Sequence, residues 1–149
     1  MVQQLVYSRF ALANVGLDKL DGAELEPFPT VPTSRFRWSI LFSEHACQAV
    51  VEDWFKDNDI EWTYWIDAIF YVFSGECEIT LWQPPNWVER TVVTARPGDV
   101  FLCPRGARVR FRVLTEEPFR HLVFDVPNPG YDADELAAGT AGRGDDPIG

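Results

Sequence analysis

The sequence predicts an all-β protein, either a barrel or a double-sheet jelly roll. Nothing in the body of the chain shows a sustained helical period of apolar residues. Instead, runs rich in β-branched and aromatic residues recur about 8–14 residues apart, with turn-forming residues between them. The chain has 149 residues, of which 46% are hydrophobic and 14% aromatic, and this is enough for one domain with a substantial core.

Residues 1–34 are predicted to form an N-terminal arm, because Gly16, Gly22 and three prolines interrupt its short apolar pieces. We expect this arm, or a short helix within it, to pack on the outside of the barrel. Regular strand signals begin at Arg35. The predicted strands are Arg35–Phe42, Ala46–Trp54, Thr63–Phe73, Cys77–Trp82, Arg90–Ala95, Asp99–Cys103, Ala107–Leu114 and Arg120–Val126.

The barrel is predicted to span residues 35–127 and to end where Pro127, Pro129 and Gly130 stop the last strand. Residues 128–149 form a C-terminal extension. Its final part is rich in glycine, alanine and aspartate, so we expect a largely disordered tail.

The net charge of −10 argues against a nucleic-acid partner, because phosphates require a basic face. No apolar run approaches the roughly 18 residues that span a bilayer, and no basic segment precedes an apolar one at the N-terminus. We therefore expect a cytoplasmic protein without a membrane partner. Locally, Arg108, Arg110 and Arg112 share one strand face. This face is either a solvated surface balanced by acids or a rim that attracts an anionic ligand.

Two segments resemble the sequence motifs of the cupin family. The run Ile69–Glu76 contains a glycine at position 75, and the second segment has the form Gly98-x5-Pro104-x-Gly106. The resemblance implies the cupin double-stranded β-helix, a jelly-roll barrel. Upstream of the first motif, the Trp-x-Tyr pair at positions 62–64 and the aspartate at 67 are similar to the ethanolamine-utilisation cupins and to small cupins of unassigned role.

Cupins usually hold a metal with His-x-His and Glu in the first motif and His in the second. Counting from the motif glycines, these positions carry Trp62, Tyr64, Ala68 and Val109. The resemblance therefore implies a cupin without this metal site, and we expect neither a metal nor another cofactor. The two histidines, His45 and His121, and the three cysteines are scattered along the chain, whereas a metal site needs three or four converging ligands.

The strand phase set by the first motif predicts which side chains line the barrel. Trp62, Tyr64 and Phe70 face the interior from one wall, and Val109 and Phe111 face it from another. We predict that these five residues bind a small molecule in an apolar, aromatic pocket. The alternative is a barrel filled by its own side chains.

The last predicted strand carries His121, Val123 and Asp125 on one face. If that face points inward, His121 and Asp125 join Tyr64 as candidate catalytic residues. Otherwise, His121 lies at the sheet surface or is hydrogen-bonded under a loop. Burial raises the pKa of a carboxyl group and lowers that of an imidazole, which favours proton transfer near neutral pH.

Three functions fit these features, and the sequence leaves open whether the protein is an enzyme. The first is metal-independent binding of a small, largely apolar or aromatic molecule. The second is a cofactor-free isomerase or lyase that catalyses isomerisation, epimerisation, dehydration or lactone chemistry by proton transfer. The third is a structural dimeric scaffold. A homodimer is predicted because the connection Trp82–Trp87 is rich in aromatic residues, which are enriched at interfaces, and because related cupins often form dimers.

Overall fold

The computed structural model describes residues 14–28, 31–44, 46–56, 58–83 and 85–127. The described strands are β1 (Glu26–Phe28), β2 (Val31–Ser43), β3 (Gln48–Trp54), β4 (Asp59–Thr63), β5 (Asp67–Ser74), β6 (Cys77–Trp82), β7 (Arg90–Ala95), β8 (Val100–Cys103), β9 (Arg108–Val113) and β10 (Phe119–Val126). They form a six-stranded sheet, β1-β2-β3-β10-β5-β8, and a four-stranded sheet, β4-β9-β6-β7. The all-β jelly-roll prediction is confirmed.

One predicted strand, Thr63–Phe73, is wrong as a single element. It is divided between β4 in the smaller sheet and β5 in the larger one. The division falls at Tyr64, whose backbone N–H donates to Ala107 O (3.2 Å) and whose carbonyl accepts from Gly106 N (2.7 Å). These bonds attach Tyr64 to the two residues that precede β9, and the chain crosses from one sheet to the other after them.

A short helix packs on the outer face of the six-stranded sheet. A 3-10 helix, Leu17–Gly22, buries Leu20 against Leu41, Ala49 and Val51. Strand β1 and the first residues of β2 fall within the predicted arm, so the sheet begins before residue 35. The predicted disordered tail, residues 128–149, lies outside the described residues, as does His45.

A cluster of charged residues links this helix to the sheet by hydrogen bonds. The Asp53 carboxylate is fully buried and accepts hydrogen bonds from Arg37 Nε (2.9 Å) and Arg120 Nε (2.8 Å). Arg120 also donates to Asp21 Oδ1 in the helix, at 3.0 Å. Burial alone would raise the pKa of Asp53, but the bonds from Arg120 and Arg37 outweigh it and hold that pKa below 3.8. The Asp53 side chain is therefore ionised and binds both arginines as a carboxylate.

The turn that ends the first motif requires glycine. Gly75 has φ of +72°, and a Cβ atom there would lie 2.6 Å from Pro118 O. Only a residue without a side chain fits this left-handed turn beside the backbone of the loop that precedes β10. Gly75 therefore forms the turn between β5 and β6.

The inner faces of both sheets share one core. Alternate residues of β5 and β9 are buried as the strand phase predicts, among them Ala68, Val72 and Val113. On the outer face of the smaller sheet, Arg108, Arg110 and Arg112 pair with Glu61, Asp59 and Glu78 at 2.6, 2.6 and 3.1 Å. These pairs match the solvated, acid-balanced surface rather than the anion-attracting rim.

Several apolar side chains remain on the surface. Ile69, Tyr71 and Phe73 on the outer face of β5 are each about two-fifths exposed, and Trp87 is exposed to a similar degree. The predicted homodimer stays a prediction.

Among the described ranges, no helix combines the length and hydropathy required to cross a bilayer. The cytoplasmic location also stays a prediction.

Candidate site inside the barrel

The five predicted ligand-binding residues all lie in the barrel interior. Trp62 is 7% exposed, and the other four are fully buried. The ring centroid of Tyr64 is 6.2 Å from that of Phe70 and 6.4 Å from that of Phe111. The Phe70 and Phe111 rings are 5.9 Å apart. The two sheets thus bring these three aromatic rings close together in the barrel interior.

The inner face of β10 carries His121, as one of the two sequence interpretations required. Antiparallel pairing of β10 with β3 sets His121 directly opposite Glu52. The two side chains meet in the interior, where His121 Nε2 lies 2.9 Å from Glu52 Oε1, and both are fully buried. His121 is therefore part of a buried acid–base pair rather than a surface histidine.

The backbone of β10 determines where the imidazole proton lies. His121 Nδ1 is 3.1 Å from the carbonyl oxygen of Phe119, which can only accept a hydrogen bond. Nδ1 therefore carries a proton and donates it. In the neutral tautomer, Nε2 then presents a lone pair to Glu52, and Glu52 Oε1 donates its carboxylic proton to Nε2.

The aromatic surroundings favour this neutral form. The His121 ring centroid is 4.6 Å from Trp54, 4.8 Å from Phe119 and 5.2 Å from Phe70. Burial lowers the pKa of His121 to about 3 and raises the pKa of Glu52 well above 4.5. The pair therefore holds one transferable proton between a carboxyl oxygen and a ring nitrogen.

The Tyr64 hydroxyl is fully buried and has no hydrogen-bond partner among the described residues. Burial raises the pKa of Tyr64 well above 10, and negative charge on Cys103, Glu52 and Asp125 would raise it further. The side chain is thus a phenol at neutral pH.

Asp125 is the third predicted catalytic residue, and it too is fully buried on the inner face of β10. It lies opposite Gln48 on β3 and Ala68 on β5. It lies four positions beyond His121, which is about 13 Å along a strand. The structure therefore brings all three predicted catalytic residues into the barrel but pairs His121 with Glu52 rather than with Asp125.

Two interior polar residues, Glu52 and Trp54, were missed by the sequence reasoning. Both lie on β3, where every residue from Gln48 to Trp54 is buried. Without exposed positions the strand shows no alternation, so its inner face cannot be read from the pattern. The available signal was a pair of acids, Glu52 and Asp53, within a strand of otherwise mainly apolar residues.

The residues at the cupin metal positions do not fit a metal. Trp62, Ala68 and Val109 offer no ligand atom, and Tyr64 is held in its protonated form by burial. Within the described ranges, no group of three or more His, Cys, Asp and Glu side chains is arranged to hold a metal ion.

Comparison with known proteins identifies the fold. No family model and no curated sequence matches the chain. Among solved structures, the chain is similar to the cupin domain of Cnp3 from Schizosaccharomyces pombe, with 18% identity over 73% of this chain and 72% of that one (TM-score 0.57). An RmlC-like cupin from Shewanella frigidimarina gives 15% identity over 77% and 90% (TM-score 0.55).

A third solved structure is similar to this chain. The EutQ protein of Clostridium difficile is 21% identical to this chain over 64% of it and 71% of that protein, with a TM-score of 0.51. Identities at this level establish the fold alone. The two sheets, their inward-facing aromatic residues and these three structures together show that the chain has the cupin fold.

Proposed function

We propose that this cupin binds a small, largely apolar or aromatic molecule inside its barrel without a metal. The observation that carries the proposal is the Tyr64 hydroxyl, which is fully buried and has no hydrogen-bond partner in the part of the chain that the structure describes. Leaving a buried hydroxyl unpaired costs about 1–3 kcal/mol. A ligand that accepts a hydrogen bond from Tyr64 would recover that cost.

Other interior groups support the same function. Glu52 Oε2 and Trp54 Nε1 are also buried and without hydrogen-bond partners among the described residues. The surrounding side chains are aromatic and aliphatic. A few polar groups set into an apolar wall is the usual composition of a small-molecule site, where the wall supplies affinity and the polar groups supply orientation.

Thermal-shift screening with phenols, lactones and aromatic acids tests the proposal on the parent protein and on Tyr64→Phe. We expect at least one compound to raise the melting temperature of the parent, because a ligand that binds only the folded state stabilises it. In Tyr64→Phe the same compound should give less than a third of that shift. The ligand-free variant should be more stable than the parent by about 1 kcal/mol, because it lacks an unpaired buried hydroxyl.

Tyr71→Phe is the matched control, since Tyr71 lies on the outer face of β5 and is 40% exposed. It should leave both the ligand-free stability and the ligand shift as in the parent. Equal shifts in Tyr64→Phe and the parent would remove Tyr64 from the site. If no compound stabilises the parent, the dimeric scaffold becomes the better explanation of this fold.

A second candidate function, metal-free proton transfer, is supported by the Glu52–His121 pair. Its 2.9 Å contact holds a proton between two groups whose ionised forms are disfavoured by burial. A bound carbon acid would exchange its acidic C–H for deuterium when the protein is in heavy water. Mass spectrometry should show this exchange with the parent and not with Glu52→Gln, which keeps a side-chain hydrogen bond but carries no transferable acid proton.

A further inference from the structure

We propose that the barrel selects an uncharged planar molecule that carries both a carbonyl oxygen and an N–H or O–H donor, of the carboxamide or lactam class. The ligand's donor binds Glu52 Oε2, and its carbonyl accepts from the Tyr64 hydroxyl. This inference rests on the proposed binding function and specifies the ligand class of that site.

Glu52 Oε2 is a hydrogen-bond acceptor whether the neighbouring proton lies on Glu52 Oε1 or on His121 Nε2. The proton that Glu52 and His121 share is located between Oε1 and Nε2, which are 2.9 Å apart. Oε2 therefore carries no hydrogen, and it has no hydrogen-bond partner among the described residues. A ligand satisfies this oxygen only by donating to it.

The Tyr64 hydroxyl supplies the complementary donor. Its oxygen is buried and without a hydrogen-bond partner in the described part of the chain. Tyr64 and His121 both pack against the Phe70 ring, at centroid distances of 6.2 and 5.2 Å. Phe70 is thus the common neighbour of the donor Tyr64 and of His121, whose Nε2 lies 2.9 Å from Glu52 Oε1. We infer that one planar ligand bonds to both polar groups beside this ring.

The charge of the interior excludes a carboxylate ligand. Glu52 and Asp125 are fully buried there, and no lysine or arginine among the described residues is buried. A bound anion would lack a counter-ion and would lie near two carboxyl groups, which is unfavourable in an apolar medium. A carboxylate also offers only acceptors, so it could not satisfy Glu52 Oε2.

Calorimetric titration with three matched probes tests the inference. Benzamide carries the donor and the acceptor, N,N-dimethylbenzamide keeps only the acceptor, and benzoate is a charged acceptor. We expect benzamide to bind the parent at least tenfold more tightly than either of the others. Tyr64→Phe should weaken both amides at least threefold, whereas the exposed control Tyr71→Phe should change neither.

Two variants of Glu52 test the acceptor itself. Glu52→Gln should keep the preference for benzamide, because its amide can donate to His121 Nε2 and leave its carbonyl oxygen where Oε2 was. Glu52→Leu should abolish the preference for benzamide over the other two probes. If Glu52→Leu does not fold, the affinities of Glu52→Gln and of the parent for the three probes test the inference. Benzoate or dimethylbenzamide binding as tightly as benzamide would overturn this inference and leave the proposed binding function standing. Toluene is titrated as a purely apolar fourth probe, to separate the two proposals. If neither toluene nor any of the three matched probes binds the parent, both proposals fail.

Discussion

Glu52 and Asp53 are neighbours in the sequence and are both fully buried, yet their carboxyl groups have opposite electrostatic surroundings. The side chain of Glu52 points into the aromatic interior, where burial raises its pKa well above 4.5. The side chain of Asp53 points to the outer face, where bonds from Arg120 and Arg37 overcome the effect of burial and lower its pKa. Because side chains alternate along a strand, two adjacent residues can be a protonated acid and an ionised one.

The protonated state of Glu52 predicts a pH-dependent difference between the parent and Glu52→Gln. Glu52 has a raised pKa in the folded state, so its contribution to stability is complete below about pH 4.5 and declines as pH rises toward the folded pKa. The free energy of unfolding of the parent, relative to Glu52→Gln, should therefore fall by about 1.4 kcal/mol per pH unit above pH 4.5.

Urea denaturation of both proteins between pH 5 and pH 8 measures this difference. The other titrating groups are common to both proteins, so their contributions cancel in the comparison. A difference that stays constant with pH would mean that the pair holds no shared proton in the folded state, because Glu52 is ionised beside a neutral His121. That result would contradict the neutral pair described above.

At the level of single elements, β3 explains what sequence patterns can and cannot predict. Strands β5 and β9 each have one exposed face, so their alternation correctly predicts that Phe70, Val109 and Phe111 point inward. Strand β3 is covered on both faces, by the barrel core and by the 3-10 helix, so its alternation is lost. The contact between Glu52 and His121 depends on the register of β3 against β10, which no local pattern contains.

The hydrogen bonds that Asp53 accepts on the outer face of β3 predict how strongly the 3-10 helix is bound to the sheet. Asp53→Asn removes the charge that accepts bonds from Arg37 and Arg120, and it leaves two partly buried guanidinium groups without their shared partner. The free energy of unfolding at pH 7 should fall by about 2–4 kcal/mol. Because the pKa of Asp53 is lowered in the folded state, the parent should lose this advantage as pH falls below about 3.8.

Asp59→Asn provides a matched control for that measurement. Asp59 also pairs with an arginine, Arg110, at 2.6 Å, but both side chains are 43% exposed. Chemical denaturation should show a loss below about 1 kcal/mol, as is usual for exposed ion pairs. Equal losses for the two variants would mean that the buried cluster around Asp53 does not hold the helix more firmly than a surface pair would.

At the level of the whole molecule, the two sheets depend on each other because their inner faces form one core. The sequence predicted the jelly roll because turn residues and glycines at positions 75, 98 and 106 mark its corners. It did not predict the transfer of the chain between sheets at Tyr64. Residues 62, 64, 66 and 68 are all buried, so the alternation continues through the break and conceals it.

The shared core predicts that Phe111 stabilises both sheets at once. Phe111 lies on β9 of the smaller sheet, and its ring contacts Trp54 of the larger sheet at a centroid distance of 4.8 Å and Phe70 at 5.9 Å. Phe111→Ala should lower the free energy of unfolding by about 3–5 kcal/mol, because it removes a buried ring and leaves a cavity that rings from two sheets must close. Phe73→Ala, on the exposed face of β5, is the control and should cost about 1 kcal/mol or less.

The form of the transition distinguishes a shared core from two separate layers. If the sheets unfold together, tryptophan fluorescence and far-ultraviolet circular dichroism should give coincident denaturation curves in both variants. The curves for Phe111→Ala should move to lower denaturant with an unchanged slope. Separate transitions, or equal losses in Phe111→Ala and Phe73→Ala, would show that the sheets are stabilised independently. In that case the Glu52–His121 pair, which belongs wholly to the six-stranded sheet, could persist without the wall that β9 provides.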